Sequence, residues 1–337
     1  MANIDIFSIQ PHEISRDLCG YTILFYGEPK TGKTTNAVKF PKHLLLAFET
    51  GYLAIPGVMA VKINTWSEFK RVLSQLKKDS AHDIYENIIV DTADIAYDLC
   101  VKYVCSNYGD NGVDDIGNIP YGQGYRMVEK EFDEALRLIP QLGYGLIMIS
   151  HSKNAVFTDE NGNEYSKIVP TLDNRPRNIV DRMSDIIGYA APYIDSEGES
   201  KTRLFMRGTP RYVAGSRFKY TPDYIDFSYD NLVDAIGDAI DKQADEMGGK
   251  FVTDKPTDAH KVEELDFTSL MQEFQKMVGM LRANTGEDFD KIWRFKISRI
   301  VEKYLGKGNK ISEITPNQVE QLDLIVGELA DEISNGL

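Results

Sequence analysis

Short apolar runs alternate with amphipathic stretches through the first 230 or so residues. That rhythm predicts buried, mostly parallel strands joined by crossover helices. The candidate strands are 22–26, 44–48, 58–63, 87–91 and 145–150, with 186–193 and 203–206 extending the sheet. Thr65-Trp-Ser-Glu68 has capping-box spacing, so that each side chain can satisfy the other's backbone N–H, and it predicts a helix to about Lys78. Further helices are predicted over 33–40, over 93–105 and from about 125 to 141. Residues 106–124, rich in Gly, Asn and Asp, are too long for a passive connection. Asp159-Glu-Asn-Gly-Asn-Glu164 reads as a hairpin turn between alternating strands. Periodicity lapses over 245–262 and returns in about three helices beyond 265. The expected organisation is an α/β core over 1–244, a linker over 245–262 and a small C-terminal helical module over 263–337.

Composition narrows the classes. At 337 residues with 42% hydrophobic and 27% charged positions, the chain has ordinary globular content, which excludes collagen-like, disordered and disulfide-framework proteins. A net charge of −14 excludes a surface that coats nucleic acid uniformly, because phosphate binding needs local positive charge. Cys19, Cys100 and Cys105 fit no zinc spacing and read as reduced packing thiols. The opening Met-Ala-Asn-Ile-Asp-Ile lacks a basic segment, and no apolar stretch approaches the ~18 residues of a spanning helix. The expectation is a cytoplasmic protein without a membrane partner.

The candidate chemistry centres on Gly27-Glu28-Pro29-Lys30-Thr31-Gly32-Lys33-Thr34, which matches G-x-x-x-x-G-K-[ST] in full; Thr35 follows. Glycines let such a loop turn its N–H groups inward around phosphates, and the following helix adds its N-terminal partial charge. Lys33 would reach the β- and γ-phosphates of ATP, and the Thr34 hydroxyl would hold Mg²⁺. The motif lies between an apolar strand and a helix, as that mechanism requires.

A magnesium-associated acid should end another buried strand, and Ile88-Ile89-Val90-Asp91 supplies it. Thr92 follows in place of a second acid, so a water-activating base must lie elsewhere. Glu49 ends the run Leu44–Phe48 and should meet the same carboxyl edge, where ligands of open α/β sheets bind. Its bland alternative is a solvated strand end. Asp94 reads as an ordinary first-turn acid of the next helix. His151, closing Leu146-Ile-Met-Ile-Ser150, is positioned to sense a γ-phosphate or its attacking water; otherwise it is a satisfied strand-end histidine. The expected catalytic residues are thus Lys33, Glu49 and His151.

Taken in order, GEPKTGKTT (27–35), LLLAFETG (44–51), IIVDTAD (88–94), YGQGYRMVEKEF (121–132), LIMISH (146–151) and AGSRFKY (214–220) resemble the RecA-like P-loop ATPase core. They are most similar to phage-encoded AAA-type ATPases of single-strand annealing and recombination. The resemblance spans about residues 20–240 and implies a mostly parallel sheet flanked by helices, in an Mg²⁺-dependent ATPase. It further implies a homo-oligomer, ring or filament, acting in a bacterial host's cytoplasm. In such cores the loops corresponding to 106–124 and 152–176 face DNA. AGSRFK looks like a motif that places a cation across a subunit boundary, which implies such a role for Arg217. Gly215 stands where a lysine is expected, so Arg207 and Arg211 are rival candidates.

Single-stranded DNA is the expected partner. The 152–176 stretch and the residue after it carry Lys153, Lys167, Arg175 and Arg177, whereas 106–124 is acidic but offers tyrosines for stacking. Residues 291–310 hold seven cations against one acid, with Lys296, Arg299 and Lys303 at helical spacing. That helix suits single strands, or the acidic tail of a single-strand-binding protein; a solvated face is its bland alternative. Two functions remain open: an ATPase that anneals or recombines single-stranded DNA, and a nucleotide-switched adaptor for a replication protein with little DNA affinity.

Overall fold

The computed structural model describes residue 7 and residues 9–262 and 265–334. Residues 1–6 and 8 of the expected core, and 263–264 and 335–337 of the expected module, lie outside the described residues. Two compact units result, one over residues 11–262 and one over 265–334 with the described residues before 11.

In the larger unit the strands are β1 (Thr22–Gly27), β2 (His43–Ala47), β3 (Ala60–Lys62), β4 (Asn87–Asp91), β5 (Gly145–Thr158), β6 (Glu164–Pro170), β7 (Ile186–Ile194), β8 (Ser200–Phe205) and β9 (Tyr224–Asp226). Its principal helices are α1 (Lys33–Ala37), α2 (Trp66–Leu76), α3 (Ala93–Ser106), α4 (Gln123–Gln141), α5 (Asn174–Met183) and α6 (Tyr229–Glu246). The sheet runs β9-β8-β7-β1-β5-β4-β2-β3, parallel from β7 to β3 and antiparallel at β8 and β9. This is the expected α/β arrangement, a mostly parallel sheet flanked by helices.

Period-two alternation in the central strands builds two cores at once. Leu24, Leu46, Val90 and Met148 join Trp66, Phe69 and Phe132 on one face. Ile23, Phe25, Leu45, Ile89 and Ile147 join Phe40, Leu232 and Ile236 on the other. With both faces covered, the strands read as continuous apolar runs. The capping box at Thr65 forms as predicted: Thr65 Oγ1 accepts from Glu68 N–H, and Glu68 accepts from Thr65 N–H.

β5 departs from expectation by its length. Past His151 it leaves the sheet and pairs antiparallel with β6, from Ser152 opposite Pro170 to Thr158 opposite Glu164. The predicted turn closes this hairpin: Asp159 accepts from the N–H groups of Asn161 and Asn163, each at 2.8 Å. The stretch expected as a DNA-facing loop over 152–176 is therefore a hairpin followed by the start of α5. The stretch read as a linker is also built into this unit. It starts within α6, Val252–Thr253 pairs with Ile14–Ser15, and Val262 N–H donates to Gln141 O. Its backbone is ordered by pairing rather than by side-chain periodicity, so the sequence pattern misses it.

In the smaller unit α7 (Phe267–Thr285), α8 (Ser298–Leu305) and α9 (Val319–Ser334) pack Leu270, Phe274, Ile300, Val301, Leu322 and Val326 into their own core. Among the described residues no helix is long and apolar enough to cross a membrane. All three cysteines are buried and free, and burial raises each thiol's pKa.

Candidate nucleotide site

The sheet register gathers the chemistry at one edge. Ala47, Asp91 and Ile149 lie level across β2, β4 and β5, and Gly27, His151 and Ala190 lie level across β1, β5 and β7. β5 thus carries His151 between the strand that opens the P-loop and the strand that ends in Asp91. A Cβ on Gly27 would fall 2.1 Å from Ala190 O, so only glycine lets the chain turn off β1 there. Gly32 caps α1 in the left-handed region at φ 80°, the second place where the loop needs glycine.

Within that loop Lys33 is only 5% exposed, and its ammonium donates to Gly27 O at 3.0 Å and Glu28 O at 2.7 Å. Burial pushes its pKa down to about 8, against the opposing pull of Asp91 and Glu49. Thr34 Oγ1 donates to Asp91 Oδ2 at 2.7 Å. Asp91 is 2% exposed, and burial raises its pKa to about 6 even though the Thr34 hydrogen bond opposes the shift. Its Oδ1 is buried without a hydrogen-bond partner. Such an orphaned oxygen beside a hydroxyl is the donor set that a hard divalent cation completes. Among the described residues no cluster of three or more His, Cys, Asp or Glu could hold a metal alone. The residues fit Mg²⁺, which keeps waters and borrows phosphate oxygens.

Glu49 is delivered by backbone pairing: the N–H groups of Phe48 and Glu49 both donate to Asp91 O, at 2.7 and 3.2 Å. Its Oε2 lies 3.5 Å from His151 Nε2, with both side chains about one-third exposed. Asp94, read from sequence as an ordinary first-turn acid, is instead the clamp on this edge. Its Oδ1 accepts from Ser150 Oγ at 2.9 Å and its Oδ2 from His151 N–H at 3.1 Å. The available signal was its position in Asp91-Thr-Ala-Asp94, where the first helical turn folds back beside the neighbouring strand end.

Lys30, Gly32, Lys33, Thr34, Thr35, Glu49, Asp91 and His151 line one cavity of about 530 Å³. Pro29 also lines it, whereas Gly27, Glu28 and Thr31 support the loop from behind: Thr31 Oγ1 donates to Glu28 O at 2.9 Å. A cation, a hydroxyl–carboxylate pair and a second carboxylate facing an imidazole can hold a phosphate chain and a water.

A family model described as an AAA domain matches residues 20–218. The chain belongs to the AAA-domain family. Over 339 aligned residues this AAA-domain protein is 32% identical to the SPbeta prophage-derived uncharacterized protein YorG of Bacillus subtilis (strain 168), covering 97% of this chain and 98% of the relative. Among solved structures it is similar to the flagellar accessory protein FlaH from Methanocaldococcus jannaschii, at 12% identity and a TM-score of 0.31, over 62% of this chain and 85% of that one. The family match ends just past Arg217, whereas the YorG likeness extends through the C-terminal helices.

The other expected site residues of the AAA-domain chain do not converge on the cavity. Arg207 is spent on structure: its guanidinium donates to the carbonyls of Thr221, Phe218 and Lys219, which corrects its candidacy to reach a neighbouring subunit. Arg217 is 3.1 Å from the buried Asp185 carboxylate and donates to Arg182 O. Arg211 is exposed, and its guanidinium has no partner among the described residues. Its segment is sewn to the P-loop strand by the Tyr26 hydroxyl, which accepts from Val213 N–H at 3.1 Å. Lys153 is tied to Asp173, Arg175 to Glu129 and Arg177 to Asn174; Lys167 is half-buried on β6. In the smaller unit Lys303 and Lys296 pair with Glu328 and Glu332 of α9, leaving Arg299 exposed. Four cations of the locally basic stretches, Lys153, Arg175, Lys296 and Lys303, are therefore paired with acids brought from elsewhere in the chain.

Proposed function

We propose that this protein is an Mg²⁺-dependent ATPase acting on single-stranded DNA as an oligomer, in the recombination or replication of a phage genome. The observation that carries the reading is the single cavity shared by Lys33, Thr34, Asp91, Glu49 and His151. In it Lys33 would exchange the carbonyls of Gly27 and Glu28 for phosphate oxygens. Thr34 and Asp91 would hold Mg²⁺, which neutralises phosphate charge when bound. Glu49 would orient the attacking water and take its proton on Oε2, with His151 beside it at 3.5 Å holding that carboxylate in place. Of the three arginines considered for a role in trans, Arg211 is the one left free to reach a second copy. The prophage origin named for YorG supports the phage setting.

Phosphate release from ATP tests the site. Lys33→Ala should abolish turnover, and Glu49→Gln should bind nucleotide normally while turnover falls by 10²-fold or more, as loss of a general base does (~10²–10⁴). Full activity in either variant would move the chemistry elsewhere. A second reading, a nucleotide-switched adaptor with little DNA affinity, is favoured by the pairing of Lys296 and Lys303 with α9. Anisotropy of labelled oligo-dT, with and without ATP at two salt concentrations, separates the two: only the first predicts salt-sensitive binding.

A further inference from the structure

A second concavity, about 720 Å³, lies in the outer helical layer between α4 and α5. Arg126, Lys130, Asp133 and Arg137 follow one another at four, three and four residues, so they share a face of α4. Arg182 faces them from α5, and Glu129 is the other acid in the lining. Both acids are already engaged. Asp133 accepts from Arg137 at 2.7 Å, and Glu129 accepts from Arg175 at 2.9 Å. The guanidiniums of Arg126 and Arg182 have no partner among the described residues, and Lys130 has only a solvated 3.6 Å contact with Glu134. A groove with unspent positive charge stands out on a chain of net charge −14.

One flat π surface adjoins an end of the groove, and a second precedes it in the chain. The Arg175 guanidinium that binds Glu129 also lies 5.1 Å over the Tyr125 ring, which is 39% exposed, and four residues earlier Tyr121 is 98% exposed. Arg217 donates to Arg182 O but is itself paired with Asp185, so it adds no free charge. Cations in a row suit any polyanion. Exposed tyrosines beside them favour one whose units carry π faces, which is single-stranded nucleic acid rather than an acidic peptide.

We infer that the α4–α5 groove is a track for single-stranded nucleic acid, with phosphates on Arg126, Lys130 and Arg182 and bases stacked on Tyr121 and Tyr125. This rests on the proposed action on single-stranded DNA and moves its contact away from the hairpin, where Lys153 is held by Asp173. The test is anisotropy of labelled oligo-dT against the full chain over a salt series. Arg126→Ala/Arg182→Ala should weaken binding roughly tenfold and flatten the log–log salt slope by about 1.4, the share of two phosphate contacts on a single strand. Tyr121→Ala/Tyr125→Ala should weaken binding by about thirtyfold or more with the slope unchanged, because two stacked bases are lost and stacking releases no counterions. These four side chains are exposed, and unchanged nucleotide binding checks the fold of each variant. Wild-type affinity and slope in both double variants would overturn the groove while leaving DNA action standing. An unmodified chain that ignores oligo-dT in every nucleotide state would overturn both. Preference for a labelled poly-glutamate over oligo-dT would overturn the nucleic-acid assignment in favour of an acidic protein.

Discussion

Asp94 spends both carboxylate oxygens on β5 where it leaves the parallel sheet, one on the Ser150 hydroxyl and one on the His151 N–H. Asp94→Ala strands the His151 N–H, whereas the Ser150 hydroxyl keeps the His151 carbonyl at 3.0 Å; the loss should cost about 1–3 kcal/mol, read as a fall in the urea midpoint. Asp94→Asn can offer its oxygen to His151 N–H and its amide to the Ser150 oxygen, so it should recover most of that loss and of any lost turnover. Asp181 gives the pH-dependent case. Burial raises its pKa from 3.8 to about 6, and its Oδ1 has no partner. A folded-state pKa above the unfolded one adds stability below pH ~4 that is lost as pH rises through about 6. The stability advantage of Asp181→Asn should therefore grow from pH 4 to 7, to about 3 kcal/mol at most; a constant difference in chemical melts would contradict this. At this scale the P-loop and Asp91 were legible because motif and strand end coincide. Asp94 was not, because its partners lie 56 and 57 residues away.

Elements were legible where one local rule decides. The helix at Thr65 follows from its capping box, and Thr65→Ala should cost about 1 kcal/mol in equilibrium unfolding with nucleotide affinity unchanged. The hairpin turn at Asp159–Asn163 follows from turn chemistry. Elements fixed by distant pairing were not legible. Val252–Thr253 is a strand only because Ile14–Ser15 lies beside it, and β5 outruns its apolar core because β6 returns along it. The basic helix shows the converse. Lys296, Arg299 and Lys303 read as a binding face until α9 brings Glu328 and Glu332 to two of them.

For the whole molecule, the negative total hides a regional split. Residues 229–260 carry eight acids against three lysines, whereas the α4–α5 groove keeps cations unspent. The two units have separate cores. A fragment of residues 11–262 should therefore melt cooperatively and keep ATP affinity within about twofold, because every cavity residue lies within it. Loss of nucleotide binding in a folded fragment would mean that the C-terminal unit completes the site. The buried thiols carry a practical corollary. Cys19, Cys100 and Cys105 are all shielded and held protonated at neutral pH. The natural chain thus serves as a silent background for maleimide chemistry. One cysteine introduced at the hairpin tip, as in Asn161→Cys, would carry a fluorophore just beyond β5, the strand that holds His151, and would show whether its emission responds to ATP.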